Sequence, residues 1–234
     1  MIQAVFFDWF GTLAHYYPPR EHILSQVLNG LGFNVSPDDL RPSLLLSDRE
    51  FYEENTATSI RDITHEERTN RFIRQQQRML TRAGVKVSGD MPQIIFTRSL
   101  ELFAGMKFIL FDDVLPTMKE LKERNLTIGL LTNLNRDIDS LCREVGLQPY
   151  LDFALTSAVV GAEKPHPPIF MAALEKAALS PEEALHVGDQ YSVDVVGARG
   201  VGIGPVLLDR EDVYPEVTDC PRINTMTELT AYLD

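Results

Sequence analysis

Cysteine is scarce in this sequence: Cys142 and Cys220 are the only two among 234 residues. Two thiols cannot build a disulfide framework and fit a reducing compartment, and neither sits in a recognisable catalytic setting, so each reads as a small buried apolar residue. Positive charge is also short. Lys and Arg number 22 against 34 Asp and Glu, a formal net charge of −12. Such a chain is repelled by nucleic acid and by anionic membranes before any local contact forms. A small anionic molecule stays open as a partner, provided that a metal ion, a lysine or a helix N-terminus supplies local positive charge. No run approaches the ~20 apolar residues of a membrane span. The opening Met1-Ile-Gln-Ala-Val-Phe-Phe-Asp8 has neither a basic leader nor a small-residue cleavage site, so a soluble, cytoplasmic protein is expected. Internal repeats and low-complexity tracts are missing, and nothing bears on oligomeric state.

What remains is an ordinary globular composition, 44% hydrophobic and 24% charged, with enough chain for a core and a smaller insertion. Residues 2–7 form a nearly unbroken apolar run ending at Asp8, the pattern of a central strand buried on both faces. Gly11-Thr12 then suggests a tight loop. From 14 to about 98 the pattern turns to polar-rich helical segments with few β-branched runs, an all-helical insertion. From 99 onward strands and helices alternate. The spacing predicts a helix over 115–124 with Leu115, Met118 and Leu121 on one side, and a strand over 126–132. A helix capped by Asn135 should follow, with Ile138, Leu141, Cys142 and Val145 inward and Gly146 as its stop. Strands over 153–156, 184–187 and 203–208 alternate with helices over 166–178 and 193–199. The expected architecture is α/β, a doubly wound parallel sheet built from 1–13 and 99–234, with the helical domain inserted at 14–98. Four strands end beside polar residues: Asp8, Thr132-Asn133, Thr156-Ser157 and Gly188-Asp189. In open α/β sheets the carboxyl ends of the strands form the ligand crevice, so these residues should converge.

Four short motifs occur in a fixed order, each at the end of a predicted strand or entering a predicted helix: Asp8-Trp-Phe-Gly-Thr12-Leu, Thr132-Asn133, Lys164-Pro165 and Gly188-Asp189-Gln-Tyr-Ser-Val-Asp194. A carboxylate at a strand terminus can attack an electrophile and form an acyl-type intermediate that water later hydrolyses, a role that falls to Asp8. Thr132 can hydrogen-bond a transferring group, Asn133 can orient the site, and Thr12 can bond the loop or the substrate. Lys164 supplies a point charge that offsets the carboxylates and steadies developing negative charge. Asp8, Asp189 and Asp194 crowd one crevice, where carboxylates repel unless a cation intervenes; oxygen-rich ligation favours Mg²⁺. Together the motifs resemble the haloacid dehalogenase superfamily, and the likeness spans 1–13 and 99–234. The resemblance implies Mg²⁺ ligation by Asp8, the backbone carbonyl of Phe10 and Asp189, with Asp194 as a ligand or close behind one. It also implies that the 14–98 insertion is the cap that determines substrate choice.

Phe10 departs from the pattern. Phosphatases of the superfamily carry an aspartate there as general acid/base, and phenylalanine cannot transfer a proton. An aromatic at this position followed by Gly-Thr occurs in the superfamily's metal-free 2-haloacid dehalogenases, where a halide leaves unprotonated, but those enzymes lack the acidic turn at 188–194. Phosphonoacetaldehyde hydrolases combine a non-acidic position with Mg²⁺ and need a Schiff-base lysine in the cap. Lys86 is the single lysine between 14 and 98, in a setting that reads as a surface loop. The first reading is therefore a Mg²⁺-dependent, phosphatase-like hydrolase of a small anionic substrate. Alternatives are a 2-haloacid dehalogenase and a non-catalytic binding protein of the same fold. Residues 61–82 hold six arginines, with Arg71, Arg74, Arg78 and Arg82 at helical spacing, a pattern usual for a solvated face. Arg20, Arg49 or one of these could meet a substrate carboxylate or phosphate. His15, just after the Asp8 loop, could replace the missing acid or serve as a hinge.

Overall fold

The structure, a computed structural model, describes residues 1–56 and 63–233. It divides into two compact units, Met1–His15 with Phe108–Asp234, and Tyr16–Lys107. In chain order the elements are β1 (Ala4–Phe7), β2 (Ala14–Tyr17), α1 (Arg20–Gly30), α2 (Pro37–Asn55), α3 (His65–Arg82), α4 (Met91–Phe103) and β3 (Lys107–Leu110). After them come α5 (Val114–Glu123), β4 (Thr127–Thr132), α6 (Ile138–Glu144), β5 (Phe153–Thr156), α7 (Ser157–Val160), α8 (Pro167–Ala177), β6 (Ala184–Gly188), α9 (Val196–Gly200), β7 (Gly204–Leu208) and β8 (Arg222–Ile223). A π-helical turn over Tyr191–Val195 leads into α9.

Six strands form one parallel sheet in the order β5-β4-β1-β6-β7-β8. All four β1 side chains are fully buried, as a strand sandwiched between two helical layers requires. The chain builds β4 and β5 on one side of β1 and β6, β7 and β8 on the other, so the order reverses at β1. That reversal opens a crevice at the carboxyl ends of the strands beside it. Phe6, Leu131, Leu155, Ile169 and Phe170 belong to one core cluster under α8. Gly129 sits where a Cβ would lie 2.6 Å from the Phe153 ring and 2.9 Å from Phe6, so a residue with no side chain lets these aromatics close over β4.

The second unit is helical, with its own core of Leu24, Leu28, Leu40, Leu80 and Ile95 among others. Capping boxes at Ser36 and Thr64 start α2 and α3, satisfying backbone N–H groups that have no partner inside the helix. The arginines of α3 line the seam with α2: Arg71 bonds Asn55, Arg78 pairs with Glu54 at 2.9 Å and Arg82 with Glu50 at 2.5 Å. Arg74 is exposed, while Arg61 lies outside the described residues. No helix among the described residues is long and apolar enough to cross a membrane.

Several local expectations shift. The segment after residue 14 opens with strand β2, which pairs with β3 in a two-stranded sheet. The helix holding residue 98 continues to Phe103, so the junction between the units lies nearer 107 than 98. Asp137, not Asn135, caps α6, accepting from Ser140 N at 3.1 Å. In α5 the buried residues are Val114, Thr117, Met118 and Leu121, and Leu115 faces outward at 36% exposure. The inward stripe begins one residue earlier than expected. Cys142 is buried, and desolvation pushes its thiol up to about 12, which suits an inert packing residue.

Candidate active site

Asp8 follows directly on β1, and its backbone N–H donates to Val187 O of β6 at 2.9 Å. Register places Phe7 beside Val187 and Leu130, so Asp8 emerges where β6 ends in Gly188 and one residue before β4 ends in Thr132. Lys164 reaches this point from the segment before α8. Its Nζ donates to Asp8 Oδ1 at 2.5 Å and to Asp194 Oδ1 at 2.7 Å, with the lysine side chain 1% exposed. Asn133 fixes the lysine's backbone rather than its charge: Asn133 Nδ2 donates to Lys164 O at 3.0 Å and Lys164 N donates to Asn133 Oδ1 at 2.8 Å. Thr132 is buried, and its hydroxyl oxygen accepts from Leu134 N at 3.1 Å.

The acidic turn completes the cluster. Asp189 accepts from Thr12 Oγ1 at 3.2 Å and from Gln190 Nε2 at 2.5 Å. Asp194 Oδ2 accepts from Gln190 N at 3.1 Å, and Asp194 Oδ1 is shared by Lys164 and His186 Nε2, the latter at 3.0 Å. Two glycines permit this approach. A Cβ on Gly11, where φ is +82°, would stand 2.4 Å from Asp189 Oδ2, and one on Gly188 would stand 2.1 Å from Asp194 Cγ. Position 11 thus needs glycine twice over, for its left-handed backbone and for the room.

Electrostatically the three aspartates are unequal. Burial and the charge of Asp194, opposed by Lys164, push Asp8 up to about 6. Asp189 is raised well above the usual carboxylate range by burial and by Asp8 and Asp194, and both of its hydrogen-bond donors are neutral. Burial works against ionisation of Asp194 as well, yet Lys164 and the His186 hydrogen bond overcome it and hold this carboxyl low. Burial likewise opposes the Lys164 charge, and Asp194 and Asp8 more than restore it. Burial lowers His186, which is then a neutral donor through Nε2 with Nδ1 unpartnered. Three carboxylates therefore face one ammonium. Single ligand oxygens of Asp8, Asp189 and Asp194 lie within 4.8 Å of one another. An all-oxygen donor set with two uncompensated negative charges fits a hard divalent cation.

Of the sequence candidates, Asp8, Thr12, Lys164, Asp189 and Asp194 form one contact network, with Asn133 attached through the Lys164 backbone and Thr132 on the neighbouring strand. Phe10 packs edge-on against Phe108, ring centroids 6.4 Å apart. His15 packs against Phe111 with the rings tilted by 37° and their centroids 4.6 Å apart. Arg20 and Arg49 have partners inside the helical unit: Arg20 pairs with Asp48, and Arg49 Nε meets Glu53 at 3.0 Å. Lys86 is exposed in the loop between α3 and α4. Gln190 and His186 were not singled out from sequence, although Gln190 sits inside the fourth motif and His186 interrupts an otherwise apolar strand.

The chain matches the haloacid dehalogenase-like hydrolase family over residues 2–202, and it belongs to that family. Haloacid dehalogenase-like hydrolase domain-containing protein 3 of Homo sapiens is 38% identical over 104 residues, 42% of this chain and 41% of that protein. Ribulose-1,5-bisphosphate 5-phosphatase of Halopiger xanaduensis is 32% identical over 126 residues, 53% of each. Alignments with the curated relatives span about half or less of their length. Among solved structures, a 2-haloacid dehalogenase from Pseudomonas syringae superposes with a TM-score of 0.55 at 26% identity, covering 100% of this chain and 98% of that one.

Proposed function

We propose that this hydrolase is a Mg²⁺-dependent phosphatase acting on a small anionic substrate through an aspartyl intermediate on Asp8. The observation that carries the reading is the imbalance at the β1 terminus, where Asp8, Asp189 and Asp194 meet a single ammonium, Lys164. Asp8, Asp189 and the Phe10 carbonyl would hold the ion, with Asp194 beside them. Bound Mg²⁺ would neutralise the cluster and the phosphoryl oxygens, so that an anion can approach. Asp8 Oδ attacks phosphorus, the bond to the ester oxygen breaks, and that oxygen departs with the electron pair as an alkoxide or aryloxide that takes its proton from water. Water then attacks the phosphorus of the aspartyl phosphate, releasing inorganic phosphate and regenerating Asp8. Lys164 orients the nucleophile and stabilises charge on the transferring group, Thr132 donates to that group, and Asn133 holds Lys164 in place. Tyr16–Lys107 serves as the cap that selects substrate, with Arg20 and Arg49 as its candidate contacts and His15 as a candidate contact from the other unit. The two free thiols agree with a cytoplasmic setting.

Phe10 supports a second reading, carbon–halogen cleavage. There Asp8 displaces halide from carbon and the resulting ester is hydrolysed, with no proton needed by the leaving group. The deciding experiment measures phosphate release from a phosphomonoester panel and halide release from 2-chloropropionate, each with Mg²⁺ and with EDTA. Phosphate release that needs Mg²⁺ and disappears in Asp8→Asn is expected. Halide release indifferent to EDTA would replace this reading with the second, and no turnover of either class would leave a binding protein.

A further inference from the structure

Asp189 is gripped at both oxygens, and both grips trace back to the segment that follows β7. On one side Arg210 makes a fork with Asp113, Nη1 to Oδ2 at 2.8 Å and Nη2 to Oδ1 at 2.9 Å. Its guanidinium lies 4.0 Å from the centroid of the Phe111 ring. Asp113 Oδ2 also accepts from Met226 N at 2.9 Å. A planar fork anchored this way has little freedom, so the remaining bond from Arg210 Nη2, to Thr12 O at 3.0 Å, fixes that peptide in space. Thr12 is fully buried and passes the constraint on through its hydroxyl to Asp189 Oδ1.

On the other side Asp209 accepts from Val213 N at 2.7 Å and from Tyr214 N at 2.9 Å, closing the turn that carries Tyr214. The buried Tyr214 hydroxyl donates to Gln190 Oε1 at 3.0 Å. With its oxygen engaged, the Gln190 amide must present its NH₂ to Asp189 Oδ2. Without that anchor the amide could turn and set oxygen against oxygen.

We propose that Arg210 and Tyr214 are positioning residues for Asp189: acting through Thr12 and Gln190, they aim its carboxylate at the divalent cation. The inference rests on the magnesium reading above. Residues behind metal ligands commonly change affinity by about 10–100-fold when removed, and two residues acting in series do not add.

The test is titration calorimetry of Mg²⁺ alone into the full chain, for wild type, Arg210→Gln, Thr12→Val and their double variant, and for Tyr214→Phe, Gln190→Leu and theirs. Arg210→Gln and Tyr214→Phe should each weaken Mg²⁺ binding about tenfold, with each double variant no weaker than Thr12→Val or Gln190→Leu alone. Unchanged Mg²⁺ affinity in folded Arg210→Gln and Tyr214→Phe would overturn the positioning role while leaving the magnesium reading intact. Losses that add fully in the double variants would overturn it too. Tyr214→Phe removes one oxygen and keeps the test alive if Arg210→Gln does not fold. A wild type that binds no Mg²⁺ would sink both readings.

Discussion

Lys164 and Asp8, 156 positions apart in sequence, meet at 2.5 Å at the carboxyl end of the central strand. The lysine is nearly inaccessible to water and has two carboxylates to neutralise. Removing one partner of a buried ion pair typically costs about 3–5 kcal/mol, because the other charge is left uncompensated. Lys164→Met should therefore lower unfolding free energy by about that amount in Mg²⁺-free urea titrations at pH 7.5, and less at pH 5, where Asp8 can take up a proton. Turnover should fall by roughly 10²–10³-fold. A variant as stable and as active as wild type would show that the pair is incidental.

Stability should respond to pH and Mg²⁺ together. Asp8 is raised from 3.8 to about 6, so it favours folding most below about pH 4 and loses that contribution as pH rises through 6. Asp189 is raised too, by burial and by Asp8 and Asp194, and its contribution is lost in the same direction. Asp194 runs opposite: it is lowered, supports folding above pH 4 and fails on acidification. Mg²⁺ needs ionised carboxylates, so its stabilisation should grow over the window in which Asp8 and Asp189 lose their protons. Differential scanning fluorimetry should show a larger Mg²⁺-induced rise in Tm at pH 7.5 than at pH 5, and Asp189→Asn should flatten the difference. Equal shifts at both pH values would contradict this assignment of charge.

Phe10 sets a third expectation. General acid catalysis contributes ~10²–10⁴-fold and matters most for poor leaving groups. The wild type should thus favour p-nitrophenyl phosphate over an alkyl phosphate more strongly than a phosphatase with an acid at this position. Phe10→Asp should narrow that ratio by speeding the alkyl ester selectively, with Mg²⁺ affinity broadly kept because the proposed ligand at position 10 is a backbone carbonyl. An unchanged ratio in a folded, Mg²⁺-binding variant would mean that another group such as His15 already protonates the leaving group, or that phosphate esters are the wrong substrates.

The parallel core was legible where one physical cause dominates. Ala4–Phe7 is apolar on every residue because both faces of β1 are covered, and the polar residues closing β1, β4, β5 and β6 mark the crevice in the sequence itself. Short or half-exposed pieces left no such trace: β8 is two residues long, and β2 alternates too briefly to be told from the start of a helix. The sequence after β6 predicts a regular helix because π-helical geometry, seen over Tyr191–Val195, changes hydrogen bonding and leaves little trace in apolar spacing. Asp8 and Asp189 stand out by residue type at strand ends, and Lys164 and Asp194 by residue type at the entry to a helix. Arg210 was invisible because its meaning lies in partners at Asp113 and Thr12, 97 and 198 positions away, and nothing about one arginine after a strand announces them.

The strand order also governs how the chain must be made. β1 is synthesised first, yet one of its two neighbours spans Thr127–Thr132 and the other Ala184–Gly188. On a ribosome this strand emerges with two open edges and two apolar faces, and the second edge stays unpaired until residues 184–188 have followed. Asp8 can meet Lys164 and Asp194 only once residues 164 and 194 have been added, so the carboxylate cluster assembles long after Asp8 itself is made. Long-range parallel pairing of this kind is slow and leaves edges open to association, so the second edge of β1 needs protection until β6 has formed.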